Sequence, residues 1–234
     1  MGKVVCIMLA GGKGKRMGGK VSKQFLLLGD KPVLFYSLKA FERYVDEIVL
    51  VAAEGEEEYC RREIVEKYGI EKVVDIVTGG AERYLSVYEG LKAIDKSESA
   101  YVLIHDGARP FVSGETIERI VDCVKQKRAC ITAVPSKDTI KIGNSDGEVI
   151  DTPDRRNVWV VQTPQAFEYS SILQAYNKAV ESGRTDITDD SMVMEEFGEH
   201  KVSFVMGQYD NIKLTTPEDM VMGMAILQAK QGFL

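Results

Sequence analysis

Seven consecutive apolar residues, Val4 to Ala10 (VVCIMLA), run straight into a loop of glycines and cations, Gly11 to Lys20 (GGKGKRMGGK). An apolar run without alternation predicts a strand buried on both faces, as strands of a parallel sheet are. In the loop, glycines let the backbone approach a ligand and present its N–H groups, and the cations neutralise charge. A buried strand feeding such a loop predicts a grip on a polyphosphate. It also predicts that the chain builds a layered α/β fold around that strand.

Two familiar phosphate loops are excluded by single positions. Gly14 to Val21 (GKRMGGKV) follows the P-loop spacing, but Val21 stands where a Ser or Thr would hold magnesium. Gly12-Lys13-Gly14 supplies the first two glycines of a dinucleotide fingerprint, and Met17 replaces the third. The phosphate chemistry is therefore of another kind.

The rest of the chain alternates. Pro32 to Tyr44 reads as a helix with Val33, Leu34, Leu38 and Phe41 on one side, and Glu47 to Ala53 (EIVLVAA) as a second strand. A charged helix over Glu56 to Lys67 follows, then a strand over Lys72–Val77 that enters Gly79-Gly80. Next come a helix over Ala81 to Ile94, a strand over Ala100–His105, a helix over Glu115 to Gln126 and a strand over Cys130–Val134. Apolar strands alternating with helices predict an α/β fold: a Rossmann-like, mostly parallel sheet flanked by helices, in a single domain over 1–234. Between Asp138 and Val161 the alternation breaks. Thr139 to Ile142, a turn-rich Gly143 to Gly147, and Glu148 to Ile150 predict a β-hairpin arm, about 137–160, with too few apolar residues for its own core. Such an arm needs a surface to lie on.

Composition narrows the class. No apolar stretch approaches the ~20 residues of a membrane span, and no signal-peptide layout precedes the first strand. The four cysteines lack metal-site spacing and there are two histidines, which predicts reduced thiols, no zinc and a cytoplasmic protein. A net charge of −6 argues against nucleic-acid binding, so polyanionic substrates would need a local basic cleft. Asp106 falls at the carboxyl end of a predicted strand, where open α/β sheets bind ligands, and its carboxylate suits magnesium or a ribose hydroxyl. His105, beside it, is expected to be structural. Asp186, Asp189 and Asp190 read as a solvated helix start with acids favoured by the helix dipole. Thr163-Pro164 and Thr216-Pro217 both read as N-caps followed by proline at the first helical position.

An ordered set of strings spans nearly the whole chain: LAGGKGKRM with Lys23-Gln24-Phe25, Gly79 to Arg83 with Ser86-Val87, His105 to Pro110, Asp154-Arg155, Gln162 to Gln165, Thr188 to Asp190, and Asp210 to Lys213. Together they resemble the 2-C-methyl-D-erythritol 4-phosphate cytidylyltransferases, within the sugar-phosphate nucleotidyltransferases. The resemblance implies transfer of a cytidylyl group from CTP to methylerythritol phosphate in non-mevalonate isoprenoid biosynthesis, with Mg2+ or another divalent cation, by a homodimer joined through the arm. It implies Arg16 and Lys23 as transition-state stabilisers, with Lys13, Lys15 and Lys20 adding field. It implies nucleotide contacts from Ala10, Gly11, Gly12, Gly80, Ser86, Asp106 and Gly107, and contacts to the acceptor from Arg155 and Lys213, helped by the hydroxyls of Thr139 and Thr163. If the arm is exchanged, Thr139 and Arg155 serve the partner's site. This chain departs from many relatives in reading Ala-Gly-Gly at 10–12 and in carrying Ala81 where Asp is common, which leaves only backbone contacts at position 81.

A pentitol phosphate such as ribitol 5-phosphate presents the same chemistry to the same cations and stays open as the acceptor. A catalytically silent nucleotide-binding subunit is the non-enzymatic alternative. The set Arg16, Lys23, Asp106, Arg155 and Lys213 counts against it. The chain ends at Leu234, soon after Lys213, so a fusion to a later cyclase of the pathway is not expected.

Overall fold

The computed structural model describes residues 2–12, 22–230 and 232. In chain order, β1 (Lys3–Ala10) is followed by a 3-10 turn over Lys23–Phe25, β2 (Leu27–Leu28) and β3 (Lys31–Pro32). Helix α1 (Val33–Phe41), β4 (Glu47–Ala52) and α2 (Glu57–Tyr59) come next; the last continues as a π-helix over Cys60–Glu66. Then follow β5 (Val73–Thr78), α3 (Arg83–Ala93), β6 (Ser99–Asp106), α4 (Gly114–Lys127) and β7 (Ala129–Pro135). The chain closes with β8 (Ile142–Gly143), β9 (Val149–Asp151), β10 (Trp159–Glu168), α5 (Tyr169–Glu181), α6 (Asp190–Phe197), β11 (Ser203–Met206) and α7 (Pro217–Lys230).

Seven strands form one sheet in the order β11-β7-β10-β6-β1-β4-β5. All pairings are parallel except those of β10, which runs antiparallel to both β6 and β7. The apolar run of β1 explains its central place: Cys6, Ile7 and Met8 are wholly buried because α1, α4 and the π-helix cover one face and α3, α5 and α6 the other. The expected mostly parallel α/β sheet is what the chain builds. From β1 the chain proceeds outward through β4 and β5, then returns to place β6 on β1's other side. The carboxyl ends of β1 and β6 are therefore a topological switch point, where open α/β sheets leave a crevice.

The ends of those two strands are drawn together. Leu9 is in register with Asp106, and the Gly107 amide donates to the Leu9 carbonyl at 2.8 Å. A Cβ on Gly107 would lie 2.8 Å from that same carbonyl oxygen and from Leu34, so only glycine fits this close approach.

Two expectations are corrected. Thr163-Pro164 lies inside β10 and does not start a helix; α5 begins at Tyr169. Pairing between β10 and β7 is interrupted between Val161 and Gln165, and such an irregularity is where a strand tolerates a residue without an N–H. The charged helix over Glu56 to Lys67 is α-helical only in its first turn. The hairpin is present: β8 and β9 pair antiparallel, with the Asn144 side-chain oxygen accepting from the amides of Asp146 and Glu148 across the tip. Thr216 does cap α7, accepting from the Asp219 amide while Asp219 accepts from the amides of Thr215 and Thr216.

Candidate active site

The crevice at the switch point opens into two adjoining cavities. The first, about 710 Å³, is lined by Gly11 and Gly12 after β1, Lys23 and Gln24, Ala52 to Glu54 after β4, the Gly79 to Arg83 turn, Ser86, Asp106, Ala108 and Lys213. The second, about 600 Å³, is lined by Val161 to Thr163 and Gln165 of β10, by Arg109, by Thr188, Asp189, Ser191 and Met192 around the start of α6, and by Phe204. Arg83, Asp106 and Lys213 line both.

Those shared residues form one alternating ionic chain. Lys213 Nζ stands 2.7 Å from Asp106 Oδ2, and Arg83 Nε reaches Asp106 Oδ1 at 3.3 Å. The rest of the Arg83 guanidinium grips Asp190, which is fully buried and also accepts from the Tyr176 hydroxyl at 2.6 Å. Arg109 adds a third cation beside Asp106, its Nε 3.8 Å from Asp106 Oδ2 and its Nη1 donating to the Asn211 carbonyl at 2.8 Å. Burial alone would push the Asp106 carboxyl up; Arg83, Lys213 and Arg109 outweigh it and hold the group well below the usual carboxylate range. The same balance holds Arg83 charged: burial opposes its charge, and Asp190 and Asp106 raise it well above its ordinary value.

Asp106 is also fixed through its backbone. Its amide donates to Thr163 Oγ1, and that hydroxyl faces His105 Nδ1 at 3.1 Å. His105 Nε2 lies 3.1 Å from the Arg109 carbonyl, which can only accept. The network thus assigns the neutral Nε2–H tautomer, with Nδ1 accepting from Thr163. His105 is wholly buried against Phe41, and burial pushes its pKa down to about 4. It supports the site from behind and does not face it.

The expected residues divide accordingly. Gly11, Gly12, Lys23, Gly80, Ser86, Asp106 and Lys213 line the first cavity together. The Ala10 carbonyl is taken by the Gln24 side chain, and Gly107 donates to Leu9 and accepts from Ser37, so both backbone positions hold the walls in place. Ser86 Oγ donates to the Glu82 and Gly80 carbonyls at 3.1 and 3.3 Å, tying the glycine turn to the start of α3. Thr163 lines the second cavity, with its hydroxyl shared between Asp106 and His105. Thr139 and Arg155 lie apart from both cavities. They are exposed at the base of the arm, with Arg155 Nη1 3.3 Å from the Lys137 carbonyl. Arg16, with Lys13, Lys15 and Lys20, falls outside the described residues.

The acidic run is a helix start, with Asp189 accepting from the Met192 amide. Its neighbour Asp190 is not solvated, contrary to expectation, because it is Arg83's buried partner. Arg83 and Arg109 are two site residues that the sequence motifs contain without singling out. A cation in the first turn of a helix opposes the helix dipole, and Arg83 in α3 carries that signal of a dedicated acidic partner.

Asp106 is the one acid lining both cavities among the described residues, and no cluster of three or more metal-ligating side chains occurs among them. Asp106 is therefore the side chain at the junction of the two cavities that could hold a divalent cation such as magnesium, which takes one or two carboxylates and completes its shell with substrate phosphates and water.

Comparison with known proteins bears on the whole chain. Residues 4–229 match the family model for 2-C-methyl-D-erythritol 4-phosphate cytidylyltransferase (IspD). The chain is 49% identical over 235 residues to the cytidylyltransferase of that description from Lachnoclostridium phytofermentans, covering 100% of both. It is 47% identical to that from Alkaliphilus oremlandii, covering 98% of this chain and 97% of the relative. In three dimensions it matches the crystal structure of 4-diphosphocytidyl-2C-methyl-D-erythritol synthase from Anaerococcus prevotii with a TM-score of 0.85 at 39% identity, over 97% of this chain and 99% of that one. With the fold, the crevice and the sequence in agreement from end to end, this chain belongs to the 2-C-methyl-D-erythritol 4-phosphate cytidylyltransferase family.

Proposed function

We propose that this chain transfers a cytidylyl group from CTP to 2-C-methyl-D-erythritol 4-phosphate, releasing pyrophosphate and 4-diphosphocytidyl-2-C-methyl-D-erythritol, with the nucleotide in the first cavity and the acceptor in the second. The observation that carries the reading is the junction: Arg83, Asp106 and Lys213 face both spaces at the switch point. Two phosphate-bearing substrates can meet only where cations are shared between their sites.

The chemistry suits that geometry. A phosphomonoester oxygen of the acceptor attacks the α-phosphorus of CTP, and the bond from that phosphorus to the pyrophosphate oxygen breaks. The attacking group has a second pKa of about 6 and is already ionised near neutrality, so no strong base is needed. What is needed is positioning of two anions and stabilisation of charge in an in-line transition state. Lys23 and, on the loop, Arg16 serve the nucleotide's phosphates. Lys213 neutralises charge where the substrates meet, and Arg83 and Arg109 keep Asp106 ionised and aimed. A divalent cation, when bound, adds Lewis-acid stabilisation of phosphate charge, and Asp106 is the side chain that would hold it. Gly80 and its neighbours present backbone groups to the pyrimidine.

The arm completes the assignment. Thr139 and Arg155 stand away from their own subunit's cavities, and Ile142, Val149 and Ile150 expose apolar surface on the same hairpin. The chain works as a homodimer in which each arm lies on the partner and presents Arg155 and Thr139 to the partner's acceptor phosphate. No helix among the described residues is long and apolar enough to cross a membrane, in keeping with a cytoplasmic enzyme acting on small molecules.

Pyrophosphate release from CTP and Mg2+, measured in parallel with methylerythritol 4-phosphate and ribitol 5-phosphate, tests the reading. Turnover with the first acceptor alone is expected. Turnover with ribitol 5-phosphate alone would move the protein to pentitol-phosphate activation, and turnover with neither would leave a silent nucleotide-binding subunit.

A further inference from the structure

The short turn that carries Lys23 is held from outside by one carboxylate. Ser22 Oγ donates to Glu56 Oε1, and Gln24 Nε2 donates to Glu56 Oε2 at 3.3 Å, so the residues on either side of Lys23 are tied to the two oxygens of a single side chain. Glu56 comes from the loop after β4, a different part of the crevice wall. Gln24 Nε2 also donates to the Ala10 carbonyl, which joins the far end of the glycine loop to its near end. The orientation of the Gln24 amide follows from its neighbours, since both are acceptors and only its NH2 group can satisfy them. Gln24 is almost fully buried and Ser22 nearly so, so neither donor has ready access to water as a substitute. One residue on, Phe25 packs its ring 4.6 Å from that of Tyr59, at the start of the helix that follows Glu56. The Lys23 turn is thus docked on the segment 56–59 by a carboxylate and an aromatic pair, and Lys23 faces the first cavity beside Gly12.

We propose that Glu56 is a positioning residue for Lys23, fixing the lysine against the nucleotide's phosphates by clamping both of its chain neighbours. This rests on the reading that Lys23 stabilises the transition state. Hydrogen bonds to a carboxylate are stronger and more directional than those between neutral groups, and a clamp on both flanks restricts the rotation of the turn as well as its position. A misplacement of about 1 Å at such a site is enough to cost on the order of a hundredfold in rate. Glu56→Gln keeps one acceptor for Ser22 and turns an NH2 group toward Gln24 Nε2. Gln24 must then abandon either Glu56's place or the Ala10 carbonyl.

The test is a kinetic cycle on the folded dimer. kcat, the KM for CTP and the KM for the acceptor are measured for the native chain, Glu56→Ala, Glu56→Gln, Lys23→Ala and Glu56→Ala with Lys23→Ala, with thermal midpoints taken alongside. Glu56→Ala is expected to lower kcat by roughly tenfold or more, with Glu56→Gln between it and the native chain and the acceptor's KM little changed. In the Lys23→Ala background the same change should alter kcat by less than about twofold, because the residue it positions is gone. Should Glu56→Ala not fold, Glu56→Gln carries the same cycle. An undiminished effect in the Lys23→Ala background, or a kcat within about twofold of native in folded Glu56→Ala, overturns the proposal. Full turnover in Lys23→Ala alone overturns the assignment of Lys23 itself, and the two failures are told apart by that single variant.

Discussion

Arg83 grips Asp190 through two parallel hydrogen bonds of 2.9 and 2.8 Å, and turns its Nε–H to Asp106. The guanidinium is the hinge between a wholly buried carboxylate and the one at the junction of the cavities. Removing either end strands a charge. Asp190→Ala should destabilise the fold by about 3–5 kcal/mol, the usual cost of leaving a buried partner uncompensated. Tyr176→Phe, which removes one hydrogen bond to the same carboxylate, should cost about 1.5–3 kcal/mol. Urea midpoints of the two variants check the ranking. Equal midpoints would mean that Asp190 is not the centre of this network.

His105 gives the fold a pH dependence of definite sign. Its folded pKa is lowered to about 4 from 6.5, so between those values the unfolded chain binds the extra proton and the folded one does not. Stability is therefore full above pH 6.5, falls as pH drops through that window, and loses about 3 kcal/mol by pH 4. Protonation would also set an N–H against the Thr163 hydroxyl that now donates to Nδ1. Denaturation midpoints of the native chain and His105→Gln from pH 4 to 7.5 should converge at the acid end. Parallel curves would place the acid sensitivity elsewhere.

Lys23 and Arg155 should fail differently. Lys23→Ala is expected to reduce kcat by on the order of 10²-fold with modest change in either KM, since its charge matters most at the transition state. Arg155→Ala should mainly raise the acceptor's KM. The reverse pattern would mean that the two phosphate sites are assigned backwards. Mixed dimers of the two variants should regain part of the native rate, because one of their two sites then has both residues intact.

The proposed dimer contact is the arm. Val149 and Ile150 are each 62% exposed in the single chain, on a hairpin with no core of its own. Val149→Asp with Ile150→Asp should give monomers in sedimentation velocity and lose most turnover, while CTP binding persists. A dimer that survives both changes would place the interface elsewhere.

The centre of the sheet is legible because two of its inner strands are apolar runs without alternation: Val4–Ala10 and Ile48–Ala53 predict two-sided burial, and almost every residue in them is buried. The lining of the first cavity was readable because glycines and strand-end acids mark places where backbone meets ligand. What escaped was pairing at a distance. Arg83 and Asp190 are 107 residues apart, and nothing local to Asp190 distinguishes a buried partner from a solvated helix start. Thr163-Pro164 misled for the opposite reason. The local signal for a cap was good, and the irregularity in the β10–β7 pairing that receives the proline is set by tertiary contacts. Glu56 lay in an acidic run whose ordinary fate is solvent.

Strand β10 runs against its neighbours, and that reversal has a mechanical consequence. Because Trp159 pairs directly with Pro135, the arm leaves and re-enters the sheet at one point, like a handle fixed by both ends to a single place. The handle continues into Val161, Gln162 and Thr163, which wall the second cavity, and Thr163 in turn holds the Asp106 amide. A force on the arm is thus delivered to the wall of the second cavity and to Asp106 at the junction, and it reaches β1 only through the pairing of β6 with it. The hairpin is thus a lever on the second cavity, and whatever the arm rests on holds its far end.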